Sequence, residues 1–219
     1  MKRNVFISFY HNDDAHYKHK LLTMNERHDI FIDMSVDTGD IPDEWDDEKI
    51  RTTIRDNYLK QSSVTIVLVG RNTKYRKHVD WEIGSSMIDT ENNRRSGIIA
   101  LILPDTICKD NKLIPTKELR RLYDYYKNSY SNNWQGGWRN EVTMNLSYPC
   151  LPMRIRENLL KENELFHEKY GAEESIVPVI PFEDVIEYPN LLREAIDYVY
   201  EARNVIKYDT SIPFKRRNG

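Results

Sequence analysis

The sequence predicts an α/β domain: a parallel five-stranded sheet, doubly wound so that helices cover both faces. Three observations predict it. Strand-like and helix-like stretches alternate through about the first ninety residues. The strand-like ones, "SSVTIVLVG" and "GIIALILP" above all, are apolar at consecutive positions, as strands buried on both faces are. After a further short apolar run, "YPNLLREAIDYVYEARNVI" closes the chain with helical periodicity.

Taken in order, "NVFISFY" is the first strand, and Asp13 or Asp14 is placed to cap a helix reaching about Asn25. "DIFIDMS" is the second strand, followed by the breaker-rich loop "VDTGDIPDEW". "DDEKIRTTIRDNYLKQ" is a helix, with Ile50, Ile54 and Tyr58 on one face. "SVTIVLVG" is the third strand, "HVDWEIGSSMIDT" the next helix and "GIIALILP" the fourth strand, ended by Pro104. From Asp105 the rhythm loosens. "TKELRRLYDYYKNSY" and "MRIRENLLKENELFHEKY" read as helices around the irregular "SNNWQGGWRNEVTMNLSYPCLP". "SIVPVIPF", interrupted by Pro178 and Pro181, is a short or edge fifth strand. Pro189 suits the first turn of the last helix. The expected organisation is one domain over 1–219, with an irregular and helical insertion at about 105–175 between strands four and five.

Composition narrows the function. A net charge of −3 argues against a nucleic-acid partner, and the basic spots "RNTKYRK" and "KRR" read as solvated surface. No apolar run is long enough to span a bilayer. The apolar start is broken by Ser8 and "HNDD", so it reads as a strand and not a signal peptide. Two cysteines, Cys108 and Cys150, give no framework and fit a reducing cytoplasm, while a bridge between the two stays open.

Several chemistries are missing. The turn after the first strand, "HNDD", has no glycine, so it is neither a P-loop nor a dinucleotide fingerprint. No G-x-S-x-G elbow is present. His16 and His19 lack a third ligand, and "DTGDIPDEWDDE" misses the EF-hand pattern, so no metal is expected. A phospho-receiver would need an aspartate ending the third strand, where "LVGRN" stands.

One stretch is out of keeping with simple packing. In "HVDWEIGSSM", at ~100° per residue, Val79, Ile83 and Met87 share an arc roughly 80° wide, and Glu82 lies about 60° from its edge. Trp81 falls roughly opposite the core. Ligands of doubly wound sheets gather at the carboxyl ends of the strands. Those ends hold Ser8, Phe9, Tyr10 and His11 after the first strand, Asp33 to Asp40 after the second, and Arg71, Asn72 and "HVDWE" after the third. Read alone, Glu82 is a boundary carboxylate in a surface ion pair, Phe9 a packing residue, and Arg71 and Asn72 turn residues. Tyr123, Tyr125 and Tyr126 read as packing for the insertion.

"RNVFISFYHNDD", "SSVTIVLVG", the "RNTKYRKHV" spacer and "HVDWEIGSS", with Trp45 in "IPDEW", resemble the TIR domain, in particular the TIR-like proteins of bacterial Thoeris anti-phage systems. The resemblance covers roughly residues 3–105 and is weaker in "SIVPVIPFEDVI" and the last helix. It implies a flavodoxin-like sheet and, in enzymatic members, cleavage of NAD+ between ribose and nicotinamide. It implies Glu82 as the catalytic carboxylate and Phe9 as an aromatic beside the nucleotide, with the loop from Val36 to Trp45 as a mobile segment flanking the crevice. Ser8, Phe9, His11, Asp37, Trp45 and Trp81 are then the substrate-binding candidates. NAD+ is substrate, not cofactor. The product implied is a cyclic ADP-ribose isomer that activates a partner effector, and self-association or a phage-derived trigger would switch the enzyme on. The competing readings are a non-catalytic TIR interaction module and a nucleoside-ribosyl transferase, which also uses a glutamate at a sheet edge.

Overall fold

A computed structural model describes residues 1–35, 59–90, 94–106, 150–159, 163–170 and 174–218, with Lys49, Thr52, Thr53, Asp56 and Lys161. Its frame is β1 (Arg3–Ser8), α1 (His11–His28), β2 (Phe31–Asp33), β3 (Val64–Val69), α2 (Lys77–Met87) and β4 (Gly97–Ile102). α3 (Met153–Leu159), α4 (Glu164–Tyr170), β5 (Val179–Pro181), α5 (Phe182–Glu187) and α6 (Pro189–Ala202) complete it. All neighbouring strands are parallel, in the order β2-β1-β3-β4-β5. That is the flavodoxin-like order, with the chain reversing direction beside β1 and β3.

Consecutive apolar residues fill two cores because successive strand side chains face opposite ways. Ile66, Leu68, Ile99 and Leu101 join Leu21 of α1 and Val199 of α6 on one face. Val67, Val69, Ile98 and Ala100 join Val79 and Ile83 of α2 and Ile155 of α3 on the other. Full burial of each Val, Leu or Ile side chain among them contributes about 1.5–3 kcal/mol, which pins α2 to the sheet.

The differences from expectation have local causes. Neither Asp13 nor Asp14 caps α1: the helix starts at His11, directly after the extended Tyr10, whose carbonyl accepts from both aspartate amides. The Asn25 side chain ties the turn into β2, accepting from the amides of Ile30 and Phe31, and Asp29 supplies a left-handed residue at φ 53°. The single helix expected over "MRIRENLLKENELFHEKY" is two, α3 and α4. Asn163 sits at the break and exchanges hydrogen bonds with the backbone of Lys207. The short helix α5, directly after β5, was not expected. β5 is an edge strand of three residues, as its prolines require. Lys49, Thr52 and Thr53 are helical. The expected helix "TKELRRLYDYYKNSY" and most of the insertion lie outside the described residues. Cys150 is disulfide-bonded, while Cys108 lies outside the described residues. Among the described residues no helix is long and apolar enough to cross a membrane.

Candidate active site

The register of β1 against β3 pairs Ser8 with Val67 and sets Ser8 at the carboxyl edge of the sheet, fully buried. The chain after β3 turns at Gly70–Asn72, passes through one 3-10 turn (Thr73–Tyr75) and enters α2. Glu82, in the second turn of α2, points back over that edge. The Ser8 hydroxyl donates to Glu82 Oε2 at 2.5 Å.

Burial pushes the Glu82 carboxyl up to about 7, against the opposing pull of the Ser8 hydrogen bond and of the Lys18 ammonium. Lys18 comes from α1 and is itself only 8% exposed; its Nζ stands 5.3 Å from the centre of the Phe9 ring. A carboxylate, a hydroxyl, an ammonium and an aromatic face thus meet where β1 ends. Sequence reading overlooked Lys18. Its signal was available, because Asp14, Lys18 and Leu21 follow helical spacing on one buried stripe, where a lysine is out of place.

Phe9 is half-buried against the first core, and its ring lies 5.8 Å from that of His11, which is exposed at the start of α1. Tyr10 carries the Arg76 guanidinium 3.9 Å over its ring, linking the β1 turn to the start of α2. Arg71 reaches the carbonyl of Asp105, and Asn72 donates to Asp13 Oδ2 at 2.7 Å, so both serve the turns. Asp37 and Trp45 lie outside the described residues.

Trp81 needs correction. Placed opposite the core by helical phase and among the substrate-binding candidates by the resemblance, it is 2% exposed, and its indole N–H donates to the carbonyl of Lys215 at 2.9 Å. Helical periodicity put it opposite the sheet, and the C-terminal segment covers that side.

A second carboxyl lies deeper. Asp14, 1% exposed, accepts from the Thr73 hydroxyl through Oδ2, while its Oδ1 has no hydrogen-bond partner. Burial pushes it up to about 6. Among the described residues no group of three or more His, Cys, Asp or Glu side chains is arranged to hold a metal.

The arrangement does not suit a serine nucleophile, since Ser8 is fully buried and already engaged. It suits a single carboxylate that meets positive charge from a ligand at the sheet edge. Residues 6–106, which contain every described member of this site, match the family model described as Thoeris protein ThsB, TIR-like domain. Over that stretch the chain is similar to the ThsB TIR-like family. The site built from β1, α1 and α2 lies wholly within that match, which points to a TIR-like domain of Thoeris type. No curated protein matches the chain.

Proposed function

We propose that this TIR-like domain cleaves NAD+ at the bond between nicotinamide and ribose, with Glu82 as its catalytic carboxylate. The observation that carries the reading is the Glu82 carboxyl at the carboxyl edge of β1, held by Ser8 and drawn toward ionisation by Lys18. Nicotinamide in NAD+ is cationic, so it departs with the bonding electron pair as a neutral molecule and needs no general acid. Positive charge then develops on the ribose, and an ionised Glu82 stabilises that charge in the transition state more than in the ground state. Phe9 offers a face for a ring of the dinucleotide.

The electrophilic ribose carbon is captured either by water or by a nucleophile of the same ADP-ribose, which loses its proton as the new bond forms. A well-oriented internal nucleophile has a large effective molarity, so a site that excludes water yields a cyclic ADP-ribose isomer. That product is the messenger by which the domain would address a partner effector in the cytoplasm. Loop 36–45, with Gly39 and Pro42, suits a segment that responds to self-association or to a phage-derived trigger. Incubation of purified protein with NAD+, across protein concentrations and with infected-cell lysate, tests the reading. Free nicotinamide with a product one water lighter than ADP-ribose is expected. Linear ADP-ribose alone leaves a simple NAD+ hydrolase; dependence on an acceptor nucleobase marks a ribosyl transferase; no nicotinamide under any condition marks an interaction module.

A further inference from the structure

The side of α2 away from Glu82 is gripped by residues remote in sequence. The backbone amide of Lys215 donates to Asp80 Oδ2 at 2.9 Å, and the Trp81 indole returns a bond to the Lys215 carbonyl. The Lys77 amide, one of those a helix start leaves without an internal acceptor, donates to Asn218 Oδ1 at 2.9 Å. The Lys215 ammonium donates to the carbonyl of Lys74. Arg154 of α3 forms an ion pair with Asp80 at 3.0 Å, the two side chains being 1% and 3% exposed, and the Phe214 ring covers its guanidinium at 4.2 Å. Upstream, Asn158 exchanges hydrogen bonds with the backbone of Asp209, whose carboxylate meets Lys161.

Gly84 is what lets this segment approach. A Cβ there would stand 2.4 Å from Phe214 Cε1 and 3.0 Å from Arg154 Nε. Residues 77, 80, 81 and 84 are thus held from outside, while Glu82, between them, is held from inside by Ser8. Charges are divided in the same way. Asp80 and Arg154 neutralise one another on the strap side, and Lys18 of α1 draws Glu82 toward ionisation.

We propose that the C-terminal segment Asp209–Asn218 is a positioning strap for Glu82, with Arg154 and Phe214 as its clamp. It fixes α2 against β1 at the register that brings the carboxylate onto Ser8. The strap acts through the helix and touches no substrate, so it serves the transition state and not substrate binding. This rests on the functional reading above, yet leaves a signature independent of it. Asp209 remains anchored by Asn158, so a detached strap would stay tethered and could be released by whatever draws on the C-terminus.

The test compares the intact chain with a chain ending at Ser211 and with Gly84→Ala, which displaces Phe214 and leaves Glu82, Ser8 and Lys18 untouched. With NAD+, kcat is expected to fall at least tenfold in both while KM stays within threefold. The acid limb of kcat should shift to lower pH as water reaches the loosened carboxyl. A synthetic peptide of residues 209–219 added in trans should restore the truncated chain but not Gly84→Ala. Amide hydrogen exchange over residues 77–87 should accelerate. Unchanged kcat and acid limb in a chain whose exchange over 77–87 shows the strap detached would overturn the proposal. If the intact chain cleaves no NAD+, the functional reading falls and exchange decides: lost protection over 77–87 supports the strap, and unchanged protection overturns it.

Discussion

The Ser8 hydroxyl and the Glu82 carboxylate meet at 2.5 Å, tying the last residue of β1 to the middle of α2. The contact lowers the proton affinity of a carboxyl that burial raises, and Lys18 pulls the same way. Under the proposed NAD+ cleavage, Ser8→Ala and Lys18→Met should therefore each move the acid limb to higher pH than in the wild type. A hydrogen bond to a charged group contributes about 1.5–3 kcal/mol, so Ser8→Ala should raise the midpoint by about one unit or more. Lys18→Arg should retain most of the wild-type profile. Initial rates from pH 5 to 9 check this.

Glu82 should cost stability where it is ionised. A carboxyl whose folded pKa lies above the unfolded one contributes stability that is complete below about 4.5 and is lost as pH rises through about 7. Glu82→Gln removes that loss. It should melt higher than wild type at pH 8, by on the order of 2 kcal/mol, with the difference closing by pH 5. Thermal or urea melts at the two pH values check it. A more stable, inactive variant is what a functional carboxylate predicts.

Asp14 follows the same sign at a lower pH. Its carboxyl is raised from 3.8 to about 6, so the stability it supports is present below about 4 and lost as pH rises through about 6. Asp14→Asn should gain on the order of 2 kcal/mol at pH 8 and little at pH 4. Gly70→Ala should destabilise at both, because its Cβ would stand 2.4 Å from Asp14 Oδ1. Denaturant midpoints of the two variants check it.

The sheet was legible because "VTIVLV" and "GIIALI" are apolar on both faces, and little but a covered parallel strand accommodates such runs. Glu82 was legible as an anomaly of helical phase, and the TIR resemblance attached a role to that anomaly. Trp81 was misread for a physical reason: helical phase locates the sheet but not a strap whose Lys215 lies 134 residues further along the chain. The Asp80–Arg154 pair was hidden likewise, since its partners are 74 residues apart and Arg154 belongs to no motif. Lys18 was legible in principle, as a cation on the stripe shared by Asp14 and Leu21. The break between α3 and α4 depends on Asn163 finding the backbone of Lys207, a long-range contact that periodicity does not carry.

The proposed NAD+ cleavage rests on the Glu82 carboxylate. The most direct measurement is nicotinamide release from NAD+ by the intact chain and by Glu82→Gln at pH 7.5, under the conditions that give the intact chain its highest activity. The variant keeps size and hydrogen bonding but deletes the charge, so it should stay folded and lose at least two orders of magnitude in kcat. A folded Glu82→Gln that releases nicotinamide at close to the wild-type rate would show that Glu82 is not the catalytic carboxylate.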